Sequence, residues 1–198
     1  MHIKRIFDFL ASFFGIIIIS PILLIVALFI KLLMPGSIFF IQTRVGKGGK
    51  EFRLLKFRTM RINAKPSEGS FDAGDQSRIT ALGKILRKTK LDEIPQLINV
   101  LIGDMSLVGP RPEVKKWTAV YPEQWAIVHQ VKPGITDNAS IEFRNEEELL
   151  AQSSNPEETY KNVILPRKLE LYINYVNHHS FSGDLMIILR TIQSVIIK

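Results

Sequence analysis

Asp92 and Glu93 stand side by side ahead of Ile94-Pro95, and a single arginine, Arg111, follows between two prolines in Gly109-Pro110-Arg111-Pro112. Proline is best tolerated in the first turn of a helix, so the sequence predicts a helix starting here and running to about Ile102, where Gly103 stops it. Neighbouring side chains at such a start point roughly 100° apart. The two carboxylates therefore do not share one proton as a facing pair does, and suit two separate tasks. The same residues also fit a plain helix N-terminus, with Asp92 as cap and Glu93 complementing the helix dipole. Pro110 and Pro112 restrict the backbone around Arg111, which suits bidentate recognition of a phosphate or carboxylate. A rigid surface turn with a solvated arginine fits that tetrapeptide as well, and either X-Pro bond could be cis.

The elements that must position these groups share 198 residues, enough for one sizeable core. With 26 Lys plus Arg against 19 Asp plus Glu, the chain is basic. That balance suits phosphorylated ligands, anionic lipid headgroups or nucleic acid without choosing among them. No cysteine is present, which excludes disulfides, thiol chemistry and cysteine-ligated zinc. His2, His129, His178 and His179 show no metal-ligand spacing.

The apolar run from Phe9 to Ile30 is a membrane segment. At about 1.5 Å per residue it reaches roughly 33 Å, enough for a ~30 Å hydrocarbon core. Ser20-Pro21 interrupts it: proline removes a backbone donor, and the serine hydroxyl can bond a nearby carbonyl and deepen a bend. Lys4 and Arg5 precede the run and Lys31, Arg44, Lys47 and Lys50 follow it, so both flanks carry the cytosolic signature. The expectation is a re-entrant helix-break-helix over residues 1–34, entering and leaving by one face, with Arg5 and Asp8 paired at the interface; the alternative is a single span with the N-terminus outside.

Beyond Pro35, SIFFIQT and EFRLLKF flank glycines and predict a β-hairpin whose second strand leads into Lys56 and Arg58. Asn63 to Ser77 reads as a polar loop. Arg78 to Lys90 predicts an amphipathic helix with Ile79, Leu82, Ile85 and Leu86 on one side. Glu113 to Gln130 is helical, broken at Pro122, with Trp117, Tyr121 and Trp125 as interfacial anchors or core residues. KPGIT (Lys132 to Thr136) reads as a turn, and Glu146 to Pro166 carries no assigned chemistry. Helices are expected over Lys168 to Asn177 and Gly183 to Lys198, the last with a stripe of Leu185, Ile188, Leu189, Ile192, Val195 and Ile196. The fold class is α+β, mostly helical, with amphipathic interfacial helices around one catalytic domain, residues 35–198.

The string KLDEIPQLINVLIGDMSLVGPRP, with LLKFRTM upstream and KPGIT downstream, resembles the bacterial sugar transferases. These are monotopic polyprenol-phosphate phosphoglycosyl transferases, and the resemblance runs from about Arg5 to the C-terminal helix. It is to the small members, without the extra membrane spans that larger ones carry ahead of this core. The resemblance implies transfer of a sugar 1-phosphate from a UDP-sugar to undecaprenyl phosphate, giving polyprenol-diphosphate sugar and UMP, at the cytosolic face of the bacterial inner membrane. It implies Asp92 as the nucleophile that forms an aspartyl phosphosugar, and Glu93 as proton handler or metal helper. Mg2+ would sit at Asp92, and Lys56, Arg58, Arg87, Arg111 and Arg144 would bind phosphate. Its RxxD start and Ser-Pro break are matched by Arg5, Asp8, Ser20 and Pro21. A homodimer or an association with downstream glycosyltransferases is compatible with it.

One stretch departs from the pattern. DNASIEFRN replaces the usual Gly-Leu-Ala-Gln-Val-like run, although Arg144 falls at a phosphate-binding position. Two other classes compete with the transferase reading. A noncatalytic membrane scaffold would not need Asp92, Glu93 and Arg111 together, and a membrane-tethered nucleic-acid binder lacks any recognised motif.

Overall fold

The computed structural model describes residues 2–62 and 78–196. The segment expected to form a loop, Asn63 to Ser77, lies outside the described residues. Most of the described chain is helical, and its strands form two small two-stranded sheets.

Helix α1 (His2–Leu33) contains Pro21, yet its helical assignment is unbroken, where an interruption was expected. The reason is local. Proline at 21 offers no N–H to the carbonyl four residues back, Ile17, and the Ser20 hydroxyl donates to that same carbonyl at 2.8 Å. The Ser-Pro pair thus satisfies the group that proline would orphan. Large apolar side chains cover the outside of α1, with Ile18 75% and Leu24 71% exposed.

Both ends of α1 are tied to the globular part. At its start, Lys4 donates to the Val108 carbonyl at 3.0 Å and pairs with the buried Asp184. Arg5 and Asp8 do not pair with each other as expected. Arg5 donates instead to the Val100 and Leu101 carbonyls, while Asp8 accepts from the Ser106 hydroxyl at 2.8 Å and the Leu107 amide at 3.1 Å. Each thereby meets backbone groups that would otherwise lack partners. At the other end Val26, Ile30 and Met34 are buried with Phe57 and Leu86.

Strands β1 (Phe39–Val45) and β2 (Glu51–Phe57) form the expected antiparallel hairpin, in the register Phe39 to Phe57 and Val45 to Glu51. Gly48 and Gly49, both at positive φ, make its turn. Helix α2 (Ala81–Thr89) is capped by the Thr80 hydroxyl, which accepts from the Gly83 amide at 2.9 Å. Leu86 points into the core, whereas Ile85 is exposed, so the predicted stripe is narrower than its spacing suggested.

Lys90 at φ 58° then turns the chain through a single 3-10 turn, Leu91–Glu93, and Pro95 leads into α3 (Gln96–Ile102). Gly103 at φ 99° ends α3, as its sequence predicted. Strand β3 (Ser106–Val108) pairs in parallel with β4 (Gly134–Thr136), so KPGIT supplies a strand where a turn was expected. Gly134 lies so close to Gly109 that an added Cβ would sit 2.1 Å from the Gly109 nitrogen.

The crossover between β3 and β4 carries α4 (Lys115–Thr118) and α5 (Pro122–Val128). Helices α6 (Asn138–Glu142), α7 (Glu146–Ala151), α8 (Pro156–Thr159), α9 (Leu165–His178) and α10 (Phe181–Ile196) complete the chain. Trp117 and Trp125 are core residues here, packed with Tyr160, Leu165, Leu169 and Tyr172. The α10 stripe faces outward: Leu185, Leu189 and Ile192 are exposed, while Asp184 and Ile187 turn inward.

Candidate active site

Asp92 and Glu93 lie on the tight turn between α2 and α3, and their side chains meet different surroundings. Glu93 is gripped by two cations. Lys56 of β2 donates to Oε1 at 2.9 Å, and Arg111 donates Nη1 to Oε2 at 3.1 Å and Nη2 to Oε1. Asp92 is buried, and its Oδ1 has no hydrogen-bond partner. It does not cap α3, whose start has no side-chain cap. A free carboxylate that is neither a cap nor an ion-pair partner is what a nucleophile or ligand requires.

Charge separates the pair further. Burial, reinforced by the neighbouring Glu93 charge, pushes the Asp92 carboxyl up to about 6, against the opposing pull of Lys56, Lys90 and Arg87. Burial acts in the same sense on Glu93, but the Arg111 and Lys56 charges and the Arg111 hydrogen bonds outweigh it and hold Glu93 well below the usual range. Burial lowers the Lys56 amine, opposed mainly by Glu93. Glu93 is thus held ionised with both of its oxygens engaged by cations. Its geometry is that of a clamp on Lys56 and Arg111.

Further hydrogen bonds set this geometry. The Asn99 side chain bridges α3 to β2, accepting from the Leu55 amide at 3.0 Å and donating to the Arg53 carbonyl at 2.8 Å, which brings Lys56 opposite Glu93. Behind Arg111, the Pro110 carbonyl accepts from the Gly134 amide and the Pro112 carbonyl accepts from Arg44, both at 3.0 Å. No cis peptide occurs among the described residues. Glu113 is buried and accepts from Arg44 at 3.0 Å and Tyr160 at 2.5 Å. Neither Asn99 nor Glu113 was singled out in the sequence. The one available signal was a charged residue directly after Pro-Arg-Pro.

The other expected phosphate-binding residues part company. Arg87 lies within electrostatic reach of Asp92, and donates to the Thr59 hydroxyl at 3.0 Å and to Glu147 at 2.9 Å. Glu147 comes from the acidic α7 segment to which no chemistry was assigned. Arg58 is not part of the cluster: it is buried and donates to the Met34 carbonyl and, at 2.8 Å, to the Pro35 carbonyl. Its guanidinium closes the end of α1 rather than joining Lys56 and Arg111. Arg144 is partly exposed between α6 and α7 and makes no hydrogen bond or ion pair among the described residues, so nothing ties it to Asp92.

Among the described residues no three His, Cys, Asp or Glu side chains converge on one point. With both Glu93 oxygens engaged, the protein's own offer to a cation is the unpartnered Asp92 oxygen. That fits Mg2+, which commonly takes one or two carboxylates and completes its shell with substrate phosphates and water.

A helix long and apolar enough to cross a membrane, packed on a helical body that holds the two-carboxylate site, suggests a membrane-associated protein. The comparisons narrow the class. The family described as bacterial sugar transferase matches residues 1–198, and the chain belongs to it. It is 39% identical over 198 residues to the uncharacterized sugar transferase EpsL of Bacillus subtilis (strain 168), covering 100% of this chain and 89% of that one. It is 38% identical over 199 residues to the UDP-glucose:undecaprenyl-phosphate glucose-1-phosphate transferase of Caulobacter vibrioides, covering 98% of this chain and 69% of the relative. A third relative is the UDP-N-acetylgalactosamine-undecaprenyl-phosphate N-acetylgalactosaminephosphotransferase of Aeromonas hydrophila. Identity there is 35% over 197 residues, and the match spans 98% of this chain but 44% of the relative's length.

Proposed function

We propose that this sugar transferase moves a sugar 1-phosphate from a UDP-sugar to a polyprenyl phosphate at the cytosolic face of the inner membrane, with Asp92 as the nucleophile. The observation that carries the reading is the buried, unpartnered Asp92 carboxylate beside the Lys56–Glu93–Arg111 cluster.

An Asp92 oxygen attacks the sugar-bearing phosphorus, the bond from that phosphorus to the bridging oxygen breaks, and UMP leaves with the electron pair. The product of this step is a mixed anhydride of Asp92 with the sugar phosphate. An oxygen of the polyprenyl phosphate then attacks the same phosphorus and expels the Asp92 carboxylate, leaving a polyprenyl-diphosphate sugar. Near neutral pH a carboxyl titrating at about 6 is mostly ionised and more basic than an ordinary aspartate, which favours attack. Lys56, Arg111 and Arg87 offset the phosphate charge, and the Glu93 clamp keeps two of those cations aimed before substrate arrives. Asp92 would hold Mg2+, which would neutralise the donor diphosphate.

Residues 1–34 form the membrane element and 35–198 the catalytic part. The re-entrant reading is supported by the attachment of both helix ends to one body: Lys4, Arg5 and Asp8 at the start, and Met34 and Pro35 at the end, bond to residues of the same globular part. A helix crossing a ~30 Å core would carry its two ends to opposite sides.

The test is release of UMP from a panel of UDP-sugars, with and without polyprenyl phosphate, by the full chain in lipid nanodiscs. Release that continues only when acceptor is supplied, with a single-turnover burst in its absence, is the expected pattern. A protein that binds membranes but releases no UMP from any UDP-sugar would be a scaffold.

A further inference from the structure

We propose that Thr59 is a positioning residue for transfer, its hydroxyl fixing the Arg87 guanidinium so that one nitrogen stays open to the donor's diphosphate. This inference rests on the transfer reading above. It adds what aims Arg87, the one of the three phosphate-facing cations that Glu93 does not grip.

The contact is built by one side of α2. Gly83 and Arg87 lie four residues apart and so share a face of the helix. That face rests on Thr59. The Thr80 amide, at the cap of α2, donates to the Thr59 carbonyl at 3.1 Å, and an added Cβ at the buried Gly83 would sit 2.0 Å from the same oxygen. Helix side chains lean toward the N-terminus, so Arg87 reaches back over this close approach, and its Nε donates to the Thr59 hydroxyl at 3.0 Å. Thr59 is itself buried, and the Arg58 amide pins its chain from the other side by donating to the Ile38 carbonyl at 3.0 Å.

The second partner of Arg87 holds it less. Glu147 accepts from Nη1 at 2.9 Å, but its side chain is exposed, and a pair open to water contributes little. The bond at Nε therefore sets the plane of the fork. Nη2 meets no partner among the described residues and is left for a phosphate oxygen, within electrostatic reach of Asp92. Lys56, three residues before Thr59, donates to Glu93 at 2.9 Å. The stretch from Lys56 to Thr59 thus registers both sets of cations to each other.

The experiment measures transfer by the full chain in nanodiscs, together with calorimetric binding of UDP alone. Thr59→Val keeps the shape and removes the hydroxyl; it should weaken UDP and raise the donor KM about tenfold while kcat and the acceptor KM move less than about twofold. Thr59→Ser should restore the donor KM. In an Arg87→Ala background Thr59→Val should add nothing, because the hydroxyl acts through that side chain. A donor KM unchanged by Thr59→Val, an equal loss in Thr59→Ser, or an effect that persists at full size without Arg87 would each overturn the assignment. Arg87→Lys keeps the charge but has no Nε–H to meet Thr59, so it reads the same contact if Thr59→Val folds poorly. An unchanged donor KM in that variant also overturns it. If the wild-type chain binds UDP yet releases no UMP from any UDP-sugar, the transfer reading fails by itself, and UDP affinity still decides Thr59.

Discussion

Arg111 and Glu93 meet fork to fork, two guanidinium nitrogens on two carboxylate oxygens, while Lys56 reaches the same carboxylate from the β-hairpin. Removing one member of a buried charged set strands the others. Glu93→Gln should therefore cost about 3 kcal/mol of stability, seen as a fall of roughly 6–12 °C in Tm for a chain of this size. Transfer should fall with it. A Tm within 2 °C of wild type would show that the carboxylate does not hold the two cations.

Asp92→Asn should do the opposite to stability while removing transfer, by about 10³-fold or more. The Asp92 carboxyl titrates at about 6 in the fold against an ordinary 3.8, so above pH 6 the folded protein carries a buried charge it would be more stable without. As pH falls through 6 the folded form takes up a proton that the unfolded chain does not bind until about pH 4, and the penalty is relieved. In chelator, the Asn variant should melt higher than wild type at pH 8 by an amount worth about 1–3 kcal/mol, and the gap should close toward pH 4. A gap independent of pH would remove the buried charge from the account.

Arg58→Ala should separate structure from substrate binding. Its guanidinium donates to the Met34 and Pro35 carbonyls, so its loss should lower Tm through orphaned groups worth roughly 2 kcal/mol and leave the donor KM within twofold. A tenfold rise in donor KM with normal stability would restore the phosphate role.

Gly134→Ala should be among the most damaging small changes. The added Cβ would meet the Gly109 nitrogen at 2.1 Å and its oxygen at 2.4 Å, both backbone atoms that cannot swing aside. The parallel pair of β3 and β4 would part and carry Pro110 and Arg111 with it, at a cost of about 3 kcal/mol or more. Loss of transfer together with loss of Tm is the expected reading, and normal values of both would contradict the contact.

Topology is open to direct measurement because the chain has no cysteine. His2→Cys and Ser37→Cys, made singly, should both be shielded from an impermeant thiol reagent in intact cells and both react once the membrane is opened. Labelling of the His2→Cys variant from outside intact cells would reject the hairpin.

Much of this arrangement was legible in the residues. The hairpin turn, the stop at Gly103 and the long apolar helix follow from local signals, glycine, proline and patterned polarity, while Lys56, Glu93 and Arg111 were grouped by the family resemblance and not as partners of one another. What escaped depended on contacts distant in sequence. Arg58 sits one residue from Phe57 in a promising basic strand, and only the docking of α1 shows that its partners are backbone carbonyls. Arg5 and Asp8 have helix-pair spacing, but α3 and β3 offer them unsatisfied backbone groups instead. KPGIT looks like a turn until β3 lies alongside it. Trp117 and Trp125 could equally have faced lipid, and only the α9 packing settles them as core.

Val26, Ile30 and Met34 are enclosed by Phe57 and Leu86, so part of the protein's interior is furnished by the same greasy helix whose other side stays bare. Cutting the chain at Pro35 would not liberate a water-soluble enzyme. It would bare one wall of that interior, leave the Arg58 guanidinium without its acceptors, and drive the remainder to clump. For this molecule, the apolar N-terminal helix is as much a part of the finished shape as any helix behind it.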